Sequence, residues 1–346
     1  MIQIENKEIE KRKSQHIAIC LEEDVEGRNI TTGLEKYRLV HQALPEINFS
    51  EINTETNFLS KQVKNPFLIS SMTGGTQKAL TINKNLAQAA EEQGWALALG
   101  STRSALESRE TAITFQMRKY APSIPIIANL GAVQLNYGYG VEECRRILEL
   151  TEADALVLHL NSLQEVIQNE GDTNFKGLLQ KIEKLCNALD SPIGIKEVGF
   201  GINGQLARHL KESGISFIDV AGAGGTSWTQ VEKYRSQDLL KTLAADAFQD
   251  WGIPTAECIT DCRSNGYKET LIASGGIKTG VEAAKSIALG ADMVGYGRSI
   301  LEAAVSSKEQ LVTVFKRMEL ELKISMFGVG AKTIEELKSA PIIPKT

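Results

Sequence analysis

The sequence lacks the features of membrane, secreted and nucleic-acid-binding proteins. No apolar stretch approaches the ~18 residues of a membrane-spanning helix, and the first 15 residues have no apolar middle like that of a signal peptide. Lys and Arg number 38 against 43 Asp and Glu, so the net charge is −5, and no run of basic residues stands out. We therefore expect a cytoplasmic protein that binds neither nucleic acid nor membrane.

Cysteine and histidine are also scarce. The five cysteines are odd in number and scattered, as is typical of reduced thiols in an intracellular chain. Cys258 and Cys262 are the closest pair, but no cluster of His or Cys supplies the roughly four ligands of a zinc site. Their i, i+4 spacing instead predicts packing on one face of a helix. Two of the four histidines, His16 and His159, have polar neighbours that suit a binding site.

What the sequence does contain is eight short apolar runs, each followed by a polar or glycine-rich cluster. Buried parallel strands read as continuous apolar runs, and helix-like segments lie between these eight. The pattern predicts an α/β fold, a (β/α)8 TIM barrel with an N-terminal extension. The active site of such a barrel lies at the carboxyl ends of the strands, where the clusters fall. The runs begin at Pro66, Ala96, Pro125, Ala155, Pro192, Phe217, Leu271 and Met293.

The chain is longer than a bare barrel of roughly 250 residues, which leaves room for an extension and a long loop. Residues 1–64 are polar and turn-rich, and we interpret them as an N-terminal arm and a cap over the barrel bottom. Within them we predict a helical piece at 32–42 and strand-like runs at 47–49 and 57–59. Residues 65–346 are predicted to form the barrel, in a single domain overall. Segment 227–252 is predicted to be a long, functional loop.

Glycines after the last two predicted strands indicate a phosphate site. Gly275, Gly276 and Ile277 follow the seventh strand, and Gly297 and Arg298 follow the eighth. Because glycine has no side chain, the backbone N–H groups of these loops can approach phosphate oxygens, and a helix N-terminus adds a favourable dipole. We therefore predict that a phosphate group binds on this side of the barrel.

Polar residues at the other strand ends suit a flat cofactor across the barrel mouth, and FMN fits best. Lys196, at the end of the fifth strand, is a natural cation for the anionic N1/O2 edge of a reduced flavin. A salt bridge from Lys196 to Glu197 or Asp219 is the alternative. The remaining predicted FMN contacts are Met72, Thr73, Gly74, Ser101, Asn129 and Thr226.

Six motifs, in order along nearly the whole chain, resemble those of the type 2 isopentenyl diphosphate isomerases, which are FMN-dependent. The glycine loops alone would indicate only an FMN barrel. Ala221 stands where some members carry serine near the flavin, so one backbone contact could differ there. The specific motifs are Arg12-Lys13-x-x-His16 and His159-Leu160-Asn161-x-x-Gln164-Glu165, and the others span 71–75, 100–103, 196–201 and 224–226.

The resemblance implies a redox-neutral 1,3-allylic isomerisation of isopentenyl diphosphate to dimethylallyl diphosphate, a step of isoprenoid biosynthesis. It also implies reduced FMN, NADPH as the reductant that primes the flavin, and Mg²⁺. No ordinary side chain is acidic enough to protonate an unactivated alkene, so the cofactor carries the hard step. The resemblance also implies a homo-oligomer, either a tetramer or an octamer.

The resemblance also assigns residues to the substrate. Glu165 is the expected Mg²⁺ ligand, because Mg²⁺ prefers one or two carboxylates together with phosphate oxygens and waters. The catalytic candidates are Gln164, His159 and Asn161, of which Gln164 also contacts the substrate. Positive charge and hydroxyl groups for the diphosphate are expected from Arg12, Lys13, Ser101, Thr102 and Arg103.

Two other functions fit parts of the pattern. Among other phosphate-binding barrels, a 2-hydroxyacid oxidase needs a His-Gly-Gly-Arg type of site, and an inosine monophosphate dehydrogenase needs a nucleophilic cysteine after the sixth strand. Segment 221–226 has neither. A flavin- or phosphate-binding module without catalysis would have degraded polar positions at the strand ends, and here they are intact. The isomerase is therefore the favoured interpretation.

Overall fold

Eight parallel strands close into a barrel in the computed structural model, which describes residues 2–345, with side chains from residue 12 onward. Each strand pairs with the next in chain order, and the last pairs with the first. The prediction of a (β/α)8 TIM barrel is confirmed. The strands are β1 (Phe67–Ile69), β2 (Ala96–Ala98), β3 (Ile126–Gly131), β4 (Ala155–His159), β5 (Ile193–Lys196), β6 (Phe217–Asp219), β7 (Thr270–Ala273) and β8 (Met293–Tyr296).

The apolar runs become strands because they are buried on both faces. Every residue of β3, β5 and β8 is buried. Successive side chains of a strand point to opposite faces. Ile127 accordingly belongs to the apolar cluster inside the barrel, whereas its neighbours Ile126 and Ala128 belong to the cluster between strands and helices. Continuous burial explains why these strands carry no polar alternation in the sequence.

Helices cover the outside of the barrel, and several begin at a capping side chain. Thr76 Oγ1 accepts from the backbone N–H of Ala79, and Thr279 forms a capping box with Glu282. The α-helices of the described residues are α1 (Ile2–Glu22), α2 (Gln77–Gln93), α3 (Arg109–Ile113), α4 (Val141–Thr151), α5 (Ser162–Ile167), α6 (Leu178–Ala188), α7 (Gly204–Glu212), α8 (Trp228–Arg235), α9 (Leu239–Ala247), α10 (Thr255–Ser264), α11 (Gly280–Ala288), α12 (Leu301–Ser306), α13 (Lys308–Val329) and α14 (Ile334–Lys338).

The first part of the chain differs most from the prediction. The long helix α1 was not predicted, and residues from its second half line the barrel mouth. The predicted helix at 32–42 is wrong. A 3-10 turn at Leu34–Lys36 is followed there by strand Tyr37–Leu39, which pairs with Ile342–Pro344 near the other end of the chain. That partner is more than 300 residues away, so local sequence could not indicate it.

Two short elements follow in the same region. The strand-like run predicted at 47–49 is wrong, because Asn48 caps a 3-10 turn at Phe49–Glu51. The run predicted at 57–59 corresponds to a strand, Thr56–Phe58, which forms a hairpin with Lys61–Val63. This hairpin packs against the apolar cluster inside the barrel, and Phe58 meets the ring of Phe217 at the start of β6. The hairpin therefore closes the end of the barrel where the strands begin.

Segment 227–252 is not a long loop, so that prediction is wrong. It forms α8 and α9, joined by a short turn in which Asp238 caps α9. The buried face of α8 includes polar side chains such as Gln230 and Glu232, which hide its helical pattern in the sequence. Cys258 and Cys262 are both buried on α10, as predicted. In residues 2–345, no helix is long and apolar enough to cross a membrane. The division into arm and barrel at residue 64 stays a prediction.

Candidate active site

A cavity of about 540 Å³ lies at the carboxyl ends of the strands, with α1 along one side. That volume is in the range of small-molecule and cofactor sites, about 300–1,000 Å³. Most of the residues predicted for the site line this one cavity. They are Arg12, Lys13, Met72, Thr73, Ser101, Arg103, Asn129, His159, Asn161, Gln164, Glu165, Lys196, Thr226, Gly275, Gly276, Ile277, Gly297 and Arg298.

Two of the predicted residues, Thr102 and Gly74, do not line the cavity. Thr102 is fully buried, and both its hydroxyl and its backbone N–H donate to the carbonyl oxygen of Asn129, at 2.6 and 2.7 Å. Gly74 lies against the ring of Phe115, where an added Cβ would come closer than 3.0 Å. Both residues therefore lie in the wall behind the cavity, and their ligand contacts stay predictions.

The loops after β6 and β7 form one edge of the cavity and pack backbone against backbone. Gly275 has a φ of +101°, and a Cβ there would lie closer than 3.0 Å to the carbonyl oxygen of Gly222. A Cβ on Gly276, with a φ of +74°, would meet the carbonyl oxygen of Gly224 just as closely. Both the backbone conformation and the close approach require glycine. Because no side chain covers this edge, its backbone groups are open to a ligand.

Positive charge lies beside the glycine edge. Arg298 donates through Nε to the carbonyl oxygen of Cys20 at 2.9 Å, and its NH1 pairs with Glu26 at 3.0 Å. Lys278 pairs with the same carboxylate at 3.0 Å. Glu26 follows α1, so these ion pairs attach the end of α1 to the loops that follow β7 and β8. Two cations and a glycine edge together suit an anionic group such as phosphate.

The hydroxyl groups at the end of β1 lack partners. Ser70 Oγ, Ser71 Oγ and Thr73 Oγ1 are buried, and none has a hydrogen-bond partner within the described part of the chain. Buried polar atoms are nearly always paired, so three such atoms on one wall indicate a polar ligand. Together with the glycine edge, these residues fit the polar atoms of FMN.

Lys196 is buried at the end of β5, across the cavity from those hydroxyls. Its Nζ donates to the backbone carbonyl of Glu197 at 2.5 Å, not to a carboxylate. The Glu197 carboxylate instead accepts from three backbone N–H groups, those of residues 198–200. Asp219 accepts from Ser274 Oγ at 2.6 Å. The expected alternative, a salt bridge to Glu197 or Asp219, is therefore not what holds Lys196.

His159 is a neutral imidazole in this site. Burial, together with the charges of Lys196 and Arg12, lowers the pKa of His159 to about 3. Its Nδ1 lies 2.6 Å from Oδ1 of Asn129, which fixes the ring. His159 therefore serves as a hydrogen-bonding group near neutral pH and cannot act there as a cationic acid.

A network from α1 and α8 holds Gln164, and sequence reasoning missed its central residue, Glu232. Glu232 Oε1 accepts from Gln164 Nε2 at 2.9 Å and lies 3.0 Å from His16 Nε2, and Arg235 pairs with Oε2. Burial alone would raise the pKa of Glu232, but these bonds and the charge of Arg235 lower it to about 2. The ring of His16 also meets Trp228 edge-on. The absence of Gly and Pro from 227–236 was the available signal for a helix there.

Glu165 belongs to a second network. Its Oε1 accepts from Asn161 Nδ2 at 2.7 Å, and its Oε2 accepts from the backbone N–H of Asp172, also at 2.7 Å. Burial raises the pKa of Glu165. Within the described residues, no group of three or more His, Cys, Asp or Glu side chains is arranged to hold a metal ion. A cation at Glu165 would therefore need oxygen atoms from a ligand or water.

Arg12 and Lys13 of α1 are not part of a solvated tail. Lys13 Nζ donates to the carbonyl oxygen of Ser101 at 3.3 Å and to Ser104 Oγ at 3.1 Å. Burial lowers the pKa of Arg12, while the nearby carboxylates of Glu232 and Glu165 oppose that shift. Both side chains are half-buried in the cavity wall.

Comparisons with known proteins show a matching family and a shared fold. The sequence pattern of the FMN-dependent dehydrogenase family matches residues 142–344. Among solved structures, a mandelate oxidase variant with benzaldehyde aligns with a TM-score of 0.67 at 15% identity, covering 100% of this chain and 98% of that one. A lactate oxidase of Pediococcus acidilactici aligns with a TM-score of 0.69 at 16% identity, covering 100% and 94%. At such low identity these oxidases share the fold alone.

Closer relatives are named isopentenyl-diphosphate delta-isomerase. One from Oceanobacillus iheyensis is 57% identical over 96% of this chain and 95% of its own length. Another from Nostoc sp. is 48% identical, with the same coverage of both chains. The aligned regions cover almost the whole of this chain and of each relative. The chain therefore belongs to the isopentenyl-diphosphate delta-isomerases, within the FMN-dependent dehydrogenase family.

Proposed function

We propose that this protein converts isopentenyl diphosphate to dimethylallyl diphosphate with reduced FMN and Mg²⁺, as a step of isoprenoid biosynthesis. One observation carries the proposal. The cavity combines a glycine edge of the kind that binds phosphate with a separate group of charged side chains, Arg12, Arg103 and Glu165, which we assign to the diphosphate and its Mg²⁺. Two anion-binding sites in one cavity suit a phosphorylated cofactor and a phosphorylated substrate bound side by side.

When bound, reduced FMN supplies an electron-rich ring that can exchange a proton with an alkene and stabilise positive charge on it. The residues proposed to hold FMN are those of the glycine edge, the hydroxyl groups at the end of β1, and Lys196. The fixed charge of Lys196 favours an anionic edge in a partly dry site. His159 and Asn129, hydrogen-bonded to each other, add polar contacts without a second positive charge.

Gln164 is the residue that we place against the reacting carbons. Because its Nε2 is bound by Glu232, the amide oxygen Oε1 remains to face the substrate. Glu232 is ionised and fully buried, so it holds this amide orientation strongly. The proposed role of Gln164 is to orient the allylic carbon and to accept a hydrogen bond from its C–H group or from a bridging water.

The diphosphate is proposed to bind Mg²⁺ at Glu165 and the cations Arg12, Lys13 and Arg103. Mg²⁺ commonly uses one protein carboxylate together with phosphate oxygens and waters, which fits Glu165, because the described residues contain no larger cluster of metal-ligating side chains. The bond from Asn161 to Glu165 fixes the carboxylate and gives Asn161 a positioning role. NADPH as the reductant of the flavin, a homo-oligomeric assembly and a cytoplasmic location are further parts of the proposal, supported by the family resemblance of the motifs and the composition.

The test is an anaerobic assay of the purified protein with isopentenyl diphosphate, FMN, Mg²⁺ and dithionite. We expect dimethylallyl diphosphate to form over many turnovers without consumption of the reductant, and no product with oxidised FMN or with flavin-free protein. The protein loaded with oxidised FMN and assayed with 2-hydroxy acids in air, without dithionite, should consume no oxygen. Equal isomerisation by flavin-free protein, or oxidation of a 2-hydroxy acid, would contradict the proposal.

A further inference from the structure

Asp172, in the loop after α5, contacts both halves of the proposed diphosphate site. Its backbone N–H donates to Glu165 Oε2 at 2.7 Å. Its side chain accepts through Oδ2 from Gln134 Nε2 at 2.8 Å and from Arg103 NH1 at 3.3 Å. One residue therefore connects the carboxylate proposed for Mg²⁺ with the guanidinium proposed for the diphosphate.

The preceding residue, Gly171, lets the loop come close enough for these contacts. A Cβ at Gly171 would lie closer than 3.0 Å to the carbonyl oxygen of Glu165. That neighbour is backbone, which cannot rotate away as a flexible side chain could. The backbone bond from Asp172 to Glu165 thus depends on glycine at 171, and the loop is held against α5 at this point.

The guanidinium of Arg103 is fixed on one side and open on another. NH1 is paired with Asp172, whereas Nε is buried and has no partner in the described part of the chain. A guanidinium carries five N–H donors in a rigid fork, so one ion pair sets its plane and leaves donors for a phosphate. Gln134 Oε1 and Asn161 Oδ1, two further buried atoms beside these residues, also lack partners among residues 12–345.

We propose that Asp172 is a positioning residue for the diphosphate: its carboxylate orients the Arg103 guanidinium while its backbone N–H orients the Glu165 carboxylate. The identity of the ligand rests on the proposed function. The competing account is that the Asp172 carboxylate simply occupies Arg103 where a phosphate oxygen would bind. The two accounts predict opposite changes in anion affinity when the Asp172 charge is removed, since loss of a positioning contact weakens anion binding and loss of a competitor strengthens it.

The test measures binding of inorganic pyrophosphate with Mg²⁺ to the FMN-loaded protein by titration calorimetry. The variants are Asp172→Asn, Arg103→Ala and the double variant. Asparagine keeps the backbone N–H and an acceptor oxygen for Gln134 but removes the charge that pairs with Arg103. We expect Asp172→Asn to weaken pyrophosphate binding by about fivefold, the size of a partly exposed ion pair. In the Arg103→Ala background the same change should alter affinity by less than about twofold, because coupled residues are not additive.

Glu183→Gln is the charge-matched control, since it removes an exposed carboxylate from α6, the helix after this loop, that does not line the cavity. It should change pyrophosphate affinity by less than about twofold, as expected for an exposed side chain. Turnover gives an independent readout. Asp172→Asn should raise KM for the diphosphate substrate while kcat stays within about twofold, and FMN affinity should not change. A merely structural role would instead lower FMN affinity and kcat together.

Three of the remaining outcomes overturn the inference, and one overturns only the proposed function. Tighter pyrophosphate binding by Asp172→Asn means that the carboxylate competes with phosphate. An equal loss with and without Arg103 means that Asp172 acts on the metal or the loop and not through the guanidinium. If the wild-type protein binds pyrophosphate but isomerises nothing, the proposed function fails while the Asp172 measurement still stands. If the wild type binds no pyrophosphate with Mg²⁺, both the diphosphate site and the role of Asp172 are wrong.

Discussion

Replacing Gly275 by alanine tests whether the glycine edge binds the phosphate of FMN. The substitution has two separable effects. Alanine at a φ of +101° is strained, at a cost of about 1–3 kcal/mol. The added Cβ would also lie closer than 3.0 Å to the carbonyl oxygen of Gly222, so the loops after β6 and β7 must move apart. The first effect lowers stability, and the second changes the shape of the proposed phosphate site.

Gly266→Ala separates the two effects. Gly266 has a φ of +83°, and a Cβ there would meet nothing within 4 Å. This exposed position follows α10, away from the cavity, so alanine there adds similar strain without disturbing the edge. We expect both variants to lose some thermal stability and Gly275→Ala to lose more.

FMN affinity is the decisive measurement, followed by quenching of flavin fluorescence on binding. Loss of one charge-assisted hydrogen bond to the phosphate costs roughly 1.5–3 kcal/mol, so Kd for FMN should rise by at least about tenfold in Gly275→Ala. In Gly266→Ala we expect a change of less than about twofold. Similar FMN affinity in the two variants would refute the assignment of the phosphate to this edge.

Three further predictions concern the substrate side and the buried network. Glu165→Gln should weaken the Mg²⁺ dependence of turnover and raise KM while FMN affinity stays nearly constant, and a collapse of FMN binding would show that Glu165 is misassigned. Replacing both Arg12 and Lys13 by alanine should lower kcat/KM by at least about tenfold, because two charge-assisted bonds to the diphosphate are lost; full activity at low salt would remove both residues from the site. Burial opposes the ionisation of Glu232, yet its pKa is about 2 against an ordinary 4.5. The ionised carboxylate therefore contributes roughly 3 kcal/mol to the free energy of unfolding above pH 4.5. That contribution is lost as the pH falls towards 2. Glu232→Gln should therefore unfold at lower urea concentration than the wild type at pH 7, with the difference shrinking below pH 4.5, and a constant difference would contradict the shifted pKa.

The barrel could be predicted because its strands are short, local and buried on both faces. Each apolar run, such as that of residues 155–158, needs no distant partner to be recognised, and the cluster that follows it marks the carboxyl end. The strand order also follows from the chain, since consecutive strands of such a barrel are neighbours. Most site residues could be predicted for the same reason, because a residue directly after a barrel strand must lie at the mouth.

Contacts made by distant segments were decided only in the tertiary structure. Strand Tyr37–Leu39 forms because it pairs with Ile342–Pro344, and no local pattern records that pairing. The role of Glu232 was hidden because its helix buries polar side chains instead of an apolar stripe, and its meaning depends on His16 and Gln164 arriving from two other helices. Sequence alone thus determined which side chains stand at the strand ends, since that depends on neighbours along the chain. Folding determined which of them are paired, neutral or held in place, because hydrogen bonding and burial depend on neighbours in space.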